Sequence, residues 1–232
     1  MKKHAYLIAS GSLFLLFILF TILVKTVDVS YYYNNTYIGF STLNYRFGEF
    51  ASNFGKYESM GKISDILLYL SFAYTLVLVV FAIIELVKVK SLKKLNRRYF
   101  LWLGGVVAMV FLYLVFDIVK VNYSPDSPVG HLKPSYPSSH VFLGCMIFLL
   151  NSYTATKLLK PEKEWLPILI YMATIVICGL MVFTRTLSTK HWLTDIIASI
   201  ILVSFLYTLF IYVSRLLVLD EPKEAIKEQQ AE

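Results

Sequence analysis

The sequence predicts an all-α membrane protein whose six transmembrane helices form one bundle. Hydrophobic residues make up 57% of its 232 residues and the mean hydropathy is +0.64, whereas soluble globular domains are about 45–50% apolar. Six mostly apolar stretches of about 20 residues are each long enough to cross about 30 Å of hydrocarbon. These stretches are residues 5–24, 64–87, 99–119, 140–158, 165–184 and 192–214.

The first stretch follows Lys2 and Lys3 and could be mistaken for a secretory signal. Its apolar part exceeds the usual 7–15 residues and no clean small-residue cleavage site follows, so residues 1–27 are predicted to be a retained transmembrane helix. Residues 28–62 are too polar to span and are rich in Tyr, Asn, Phe and Gly. They are expected to form either an interfacial helix that partly covers a site on the outer surface or an ordinary capping loop.

The predicted core covers residues 63–215 and contains the other five transmembrane helices. Within it, residues 120–139 hold four of the seven prolines, which predicts an extended, stiff segment. Ser138 or Ser139 is then positioned to cap the fourth transmembrane helix. Residues 216–232 form a charged tail, expected to be a short solvated helix or disordered.

The three tryptophans all stand where apolar stretches begin. Trp102, Trp165 and Trp192 are therefore expected at the boundary between lipid and water, as an interfacial aromatic belt. The two cysteines, Cys145 and Cys178, lie inside apolar stretches, which favours buried thiols over a disulfide or metal ligands.

Basic residues are concentrated in alternate loops. They precede the first stretch, separate the second from the third and the fourth from the fifth, and follow the sixth. The positive-inside rule then places both termini in the cytoplasm and the loops before the fourth and sixth helices outside, although Lys25, Arg46, Lys56 and Lys62 weaken the bias. The same distribution argues that the net charge of +7 does not serve nucleic-acid binding. From its small size we expect a bacterial plasma membrane protein.

The run from Arg185 to Asp195 carries the strongest functional signal, because ionisable groups are costly beside hydrocarbon and mark functional sites. His191 and Asp195 are four residues apart, so on a helix they would share a face, and a carboxylate beside an imidazole fixes its tautomer. Each residue alone has an ordinary explanation: a snorkelling arginine, an interfacial histidine, a carboxylate at a helix start. The combination favours a site.

A second candidate histidine, His140, begins the fourth apolar stretch. Its ordinary pKa near 6.5 suits a general acid. Ser138, Ser139 and the free backbone N–H groups of the next helical turn would form an anion site, and Arg185 offers a planar fork for phosphate. Together these groups describe phosphoryl transfer, with no visible metal cluster and no cofactor.

These residues resemble the type 2 phosphatidic acid phosphatase (PAP2) superfamily of membrane lipid phosphatases, over residues 60–215. The family's third motif, Ser-Arg-x5-His-x3-Asp, is matched with one change by Thr184, Arg185, His191 and Asp195. Its second motif, Pro-Ser-Gly-His, is matched with one change by Pro137, Ser138, Ser139 and His140. The resemblance implies a PAP2/haloperoxidase-like helical core.

The resemblance also implies roles for these residues. His191 would attack phosphorus and form a phosphohistidine, and Asp195 would orient it. His140 would protonate the leaving group. The phosphoryl oxygens would be bound by Arg185, Ser138 and Ser139.

The family's first motif, Lys-x6-Arg-Pro, is degenerate. One register keeps Lys120 but has Ser127 for the arginine, and the other has Asp117 for the lysine and Ser124 for the arginine. Losing one charge-assisted bond of about 1.5–3 kcal/mol in the transition state would slow the reaction about 10–100-fold or more. Lysines are the candidates to replace the missing charge: Lys120, Lys133 or Lys190.

The resemblance predicts hydrolysis of a lipid phosphate or diphosphate at the outer face, with phosphatidic acid, phosphatidylglycerophosphate and isoprenyl diphosphate all compatible. Two alternatives stay open. The degenerate first motif allows a weakened or inactive protein that binds or transports lipid phosphates, and the same residues would serve a phosphotransferase. The oligomeric state is not predicted.

Overall fold

The computed structural model describes residues 2–32, 36–126, 131–159, 163 and 165–219. The described part is almost entirely helical, with a two-stranded antiparallel hairpin and one 3-10 turn at Leu92–Lys94. The strands are β1 (Ser30–Tyr31) and β2 (Tyr37–Ile38). The helices are α1 (Lys2–Thr26), α2 (Ser41–Asn53), α3 (Tyr57–Val89), α4 (Arg97–Ile118), α5 (Ser139–Leu159), α6 (Trp165–Leu187) and α7 (Leu193–Leu219).

Six of these helices, all except α2, are long and apolar enough to cross a membrane, which confirms the predicted fold class. Several predicted helices are shorter than the observed ones. Helix α3 is 33 residues long and begins at Tyr57, seven residues before the predicted span. The prediction started late because Glu58 and Lys62 lower the hydropathy of the first turns. Helix α7 continues to Leu219, and the rest of the predicted tail lies outside the described residues.

Helix α5 is the centre of the bundle. It packs against α3, α4, α6 and α7, and 72% of its apolar window is buried, against 11–39% in the other five spans. Helix α1 lies along α7. The outer helices expose broad apolar faces, as expected where lipid is the solvent. The N-terminus of α5 is thereby fixed in the middle of one end of the bundle.

Polar side chains link the central helices. Asn151 of α5 is fully buried, accepts a hydrogen bond from the Trp102 indole N–H (2.8 Å) and donates one to the Thr75 hydroxyl (3.0 Å). Trp102 and Trp192 are each 6% exposed, and only Trp165, at 55%, faces outward. The predicted aromatic belt is therefore wrong for two of its three members, whose indole N–H groups bond inside the protein.

The segment after α1 folds into the hairpin and the amphipathic helix α2, so its covering part is a helix and not a plain loop. Asp28 caps α2, accepting bonds from the Ser41 hydroxyl (3.0 Å) and the Thr42 N–H (2.7 Å). The Thr42 N–H holds the pKa of the exposed Asp28 carboxyl below its usual value. Gly39 is required here, since a Cβ would lie 1.8 Å from the carbonyl oxygen of Val24.

Helix α2 is joined to the start of α7 by Asn44, which is 1% exposed. Its amide group donates to the Thr194 hydroxyl (3.1 Å) and accepts from the Thr194 N–H (3.2 Å). Thr194 lies next to Asp195. The covering helix is therefore held directly against the predicted site.

Replacing Asn151 by alanine is expected to lower the free energy of unfolding by about 1–2 kcal/mol, because the buried Trp102 N–H loses its acceptor. The measurement is the thermal unfolding midpoint in detergent. Asn53→Ala, at an exposed position of α2, is the matched control. Equal midpoints for the two variants would contradict a structural role for Asn151.

Candidate active site

Five segments meet at one end of the bundle: the first turns of α3, the extended segment before α5, the start of α5, the end of α6 and the start of α7. The α6–α7 loop turns sharply at Thr189, whose φ of 57° lies in the left-handed region. This turn directs the following residues, Lys190 and His191, back toward α3 and α5. The segments bring His191, His140, Arg185 and Asp195 together.

The hydrogen bonds of His191 define its tautomer. Its Nδ1 lies 3.0 Å from the carbonyl oxygen of Ser135, which can only accept, so Nδ1 carries the hydrogen. Its Nε2 lies 3.0 Å from Nη2 of Arg185, which can only donate, so Nε2 presents its lone pair. The nucleophilic atom of this imidazole therefore faces the guanidinium group.

Asp195 is fully buried and does not share a helical face with His191. Helix α7 begins at Leu193, after the histidine, so the helical-face prediction is wrong. The carboxylate instead accepts bonds from the Asn122 amide (3.0 Å) and from the Trp192 N–H of its own helix start (3.2 Å). At 3.7 Å from Nδ1 it acts on His191 as a nearby charge.

The environment of His191 favours its neutral form. Burial is the main cause and lowers its pKa, and the positive charge of Arg185 acts in the same direction. Asp195 and the Ser135 carbonyl oppose this shift, and the net direction is downward from 6.5. Nε2 is therefore unprotonated at neutral pH, with its lone pair directed at Arg185.

Arg185, in the last turn of α6, is only 5% exposed and is not a snorkelling arginine. Besides its contact with His191, it donates through Nη1 to the Ser64 hydroxyl at 3.4 Å. Its buried Nε has no hydrogen-bond partner among the described residues. The guanidinium thus has donor capacity left for an anion.

His140 and Arg185 share a carboxylate that the sequence analysis missed. Oδ1 of Asp65, on α3, lies 2.8 Å from Nε2 of His140 and 3.6 Å from Nη1 of Arg185. Its Oδ2 lies 3.8 Å from Nζ of Lys190. The signal was present, because Asp65 is an acidic residue inside a predicted membrane span, a position that usually carries function.

The two serines before His140 occupy different environments. Ser138 holds the predicted cap position before α5, but its hydroxyl has no hydrogen-bond partner among the described residues and the residue is fully enclosed. Its N–H donates to the carbonyl oxygen of Asp195 at 3.2 Å. Ser139 lines a small cavity of about 70 Å³ together with His191 and Asp117.

Tyr123 and Ser124, which belong to the second register of the degenerate first motif, contact the loop that carries His191. The Ser124 hydroxyl donates to the carbonyl oxygen of Lys190 (2.8 Å), and Trp192 donates to the carbonyl oxygen of Tyr123 (2.7 Å). Ser127 and Pro128 of the other register lie outside the described residues. The structure thus describes only the second register, the one with Ser124 in place of the arginine.

Of the candidate replacement lysines, Lys190 lies nearest the cluster around Asp65. Its side chain crosses α3 at Gly61, where a Cβ would come within 3.2 Å of the lysine Cε. Lys120 is exposed just after α4, and no ion pair or hydrogen bond to the site is found for it among the described residues. Lys133 is also exposed, in the extended segment before α5.

Two larger cavities lie near His191, and the polar one contacts it directly. A polar one of about 320 Å³ is lined by His191, Trp192 and residues of α2. An apolar groove of about 570 Å³ runs between α5, α6 and α7 beneath α2, and Phe47 and Thr186 line both cavities. A ligand with a polar head and an apolar tail fits this pair of spaces.

Comparisons with known proteins agree with the motifs. The PAP2 superfamily model matches residues 3–218. Among solved structures, the chain is similar to the transmembrane PAP2 type phosphatidylglycerolphosphate phosphatase from Bacillus subtilis, with a TM-score of 0.62 and 18% identity over 89% of this chain and 96% of that chain. At this identity the similarity shows the fold. No curated protein matches.

The neutral, buried His191 should make stability depend on pH. Because its folded pKa lies below 6.5, the unfolded chain binds more protons as the pH falls, so the free energy of unfolding should decrease from pH 6.5 downward until the folded pKa is reached. Thermal midpoints of wild type and His191→Gln from about pH 8 to about pH 5 measure this.

His191→Gln should lose part of the acid destabilisation. His131→Gln removes an exposed histidine and should retain all of it. Identical pH dependence in wild type and His191→Gln would show that His191 is not the titrating group.

Proposed function

The chain belongs to the PAP2 superfamily, and we propose that it hydrolyses a lipid phosphate or diphosphate through a phosphohistidine intermediate. It is a multi-pass membrane protein of a lipid phosphatase family. The observation that carries the proposal is the orientation of His191: Nδ1–H bonds to the Ser135 carbonyl, and the Nε2 lone pair faces Arg185. A nucleophile aimed at a guanidinium fork is the arrangement that attack on a bound phosphoryl group needs.

In the proposed mechanism, the lone pair of His191 Nε2 attacks phosphorus and the bond from phosphorus to the lipid oxygen breaks. The departing oxygen keeps the bonding electrons and takes a proton from His140. Asp195 stabilises the charge that develops on His191. Water then attacks the phosphohistidine, its proton passes to His140, and phosphate is released with His191 regenerated.

Arg185 and Lys190 supply the positive charge that holds the phosphoryl oxygens during this step. Ser139 lines the cavity beside His191 and is assigned to the same role. Ser138 and Lys120 stay predictions, since one side chain is enclosed and the other is exposed outside the cluster. The proposed chemistry uses side chains alone.

The substrate is proposed to be a lipid whose tail lies in the groove between α6 and α7. This apolar groove leads to the polar cavity beside His191, so a tail in the first places a headgroup in the second. Phosphatidic acid, phosphatidylglycerophosphate and isoprenyl diphosphate all have this form. Among them, phosphatidylglycerophosphate is the lipid for which the similar Bacillus subtilis phosphatase is named.

Ser124 supports two further candidates, because it removes a cation that the family motif supplies. One is a catalytically weakened protein that binds or transports lipid phosphates. The other is a phosphotransferase, in which an acceptor other than water takes the phosphoryl group from His191. Product analysis with an acceptor present separates transfer from hydrolysis.

His191→Ala is expected to reduce phosphate release by at least about 1,000-fold, because the nucleophile is removed. Purified protein in detergent, without added metal, would be assayed on phosphatidic acid, phosphatidylglycerophosphate and an isoprenyl diphosphate. His131→Ala, at an exposed position before α5, is the control and should turn over like wild type. Full turnover by His191→Ala would refute the mechanism, and no release by folded wild type would favour a binding role.

The site is proposed to open on the extracytoplasmic face of the plasma membrane, with both termini cytoplasmic. In a background of Cys145→Ser and Cys178→Ser, His131→Cys is expected to react with a membrane-impermeant thiol reagent on intact cells. Lys93→Cys, in the turn between α3 and α4, should react only after lysis. The reverse labelling pattern would invert the proposed orientation.

A further inference from the structure

The carboxylate of Asp65 occupies the space that the proposed mechanism assigns to the phosphoryl group. One of its oxygens contacts His140 at 2.8 Å and Arg185 at 3.6 Å, and the other lies 3.8 Å from Lys190. Proton donor, guanidinium and ammonium all converge on this one carboxylate. Two oxygens on one atom, shared among three nitrogen donors, imitate a bound phosphoryl group.

The hydrogen bond from His140 to Asp65 leaves His140 no accessible donor for a second acceptor. Nδ1 of His140 is buried without a hydrogen-bond partner among the described residues, so the accessible edge of the ring is the one that carries Nε2. Asp65 is bonded to that edge. A departing substrate oxygen and the carboxylate therefore cannot accept from His140 at the same time, and a bound substrate requires Asp65 to rotate away.

Rotation is open to this side chain, which is 35% exposed. Even after it rotates, Asp65 remains on the first turns of α3 beside the site, and its negative charge repels an anion. Coulomb repulsion scales with the product of the charges, so a doubly charged phosphoryl group is penalised twice as much as a singly charged one. Asp195 lies on the other side of the His191 ring, 3.7 Å from Nδ1, and is therefore farther from the phosphoryl position, which faces Nε2 and Arg185.

We propose that Asp65 is a specificity-determining residue: it holds the phosphoryl subsite in the free protein and selects singly charged over doubly charged phosphoryl groups. Among phosphate monoesters, the favoured form is then the singly protonated monoanion over the dianion. This inference rests on the proposed function for the location of the subsite. It assigns Asp65 to substrate selection and not to the chemical step.

The test is the Asp65→Asn variant, which keeps the shape and the hydrogen-bond acceptor for His140 but removes the charge. Calorimetry in detergent at about pH 8 would compare inorganic phosphate, mostly a dianion there, with dimethyl phosphate, a monoanion. Phosphate should bind at least about 10-fold more tightly to the variant, and dimethyl phosphate should gain less. Glu58→Gln, the same charge change at an exposed position of α3, should leave both affinities unchanged.

Kinetics separate selection from a direct part in the reaction. Asp65→Asn should lower KM for a lipid phosphate together with the gain in phosphate affinity, whereas a residue that acts only in the chemical step would change kcat alone. Unchanged or weaker phosphate binding, or a kcat lowered more than about 10-fold without a gain in phosphate affinity, would overturn the inference. Asp65→Ser gives the same readings if the asparagine variant does not fold. Binding of phosphate needs no turnover, so a failure of the proposed hydrolysis is distinguishable from a failure of this inference.

Discussion

The arrangement of the site depends on the hydrogen bonds that Asp195, a buried carboxylate, accepts. It is fully enclosed, and a buried carboxylate is costly unless donors surround it. The Asn122 amide and the Trp192 N–H bond to its oxygens, and its backbone carbonyl accepts from the Ser138 N–H. One residue thereby ties the extended segment and the starts of α5 and α7 together, and His191 is held between them.

The hairpin and α2, which cover the site, are attached to the start of α7 beside Asp195. Thr194, next to Asp195, bonds to Asn44 of α2, while the Trp192 ring packs edge-on against Tyr32 and Tyr45. The hairpin, α2 and the loop that carries His191 therefore form one packed unit above the apolar groove. Because Phe47 and Phe50 of α2 line this groove, a molecule bound there contacts the same unit that holds His191.

The elements that sequence predicts best are those with a local physical signature. Six helices follow from apolar length, and the histidines and Arg185 follow from charges placed beside hydrocarbon. Asn122 and the Ser135 carbonyl lack such a signature because their partners are distant along the chain: the Asn122–Asp195 bond, for example, joins residues 73 apart. Asp65 does carry the signature, an acidic residue inside a predicted span, but its contacts with His140 and Arg185 also join distant residues. The relation of His191 to Asp195 was wrong because the helix starts two residues after the histidine, and spacing alone does not locate a helix start.

In the register that aligns Ser124 with the family's arginine, the missing charge lies next to Lys190. The Ser124 hydroxyl donates to the Lys190 carbonyl, so the residue that lacks the charge anchors the backbone of the residue that brings one. A lysine is a point charge without the planar fork of arginine, so it does not bind two phosphoryl oxygens in a fixed geometry. With Arg185 and Lys190 facing Asp65, the cluster carries little excess positive charge in the free protein. A second negative charge on the ligand therefore adds less binding free energy at this site than it would with the full family motif. Selectivity among phosphoryl groups then depends on how easily each one displaces the carboxylate of Asp65.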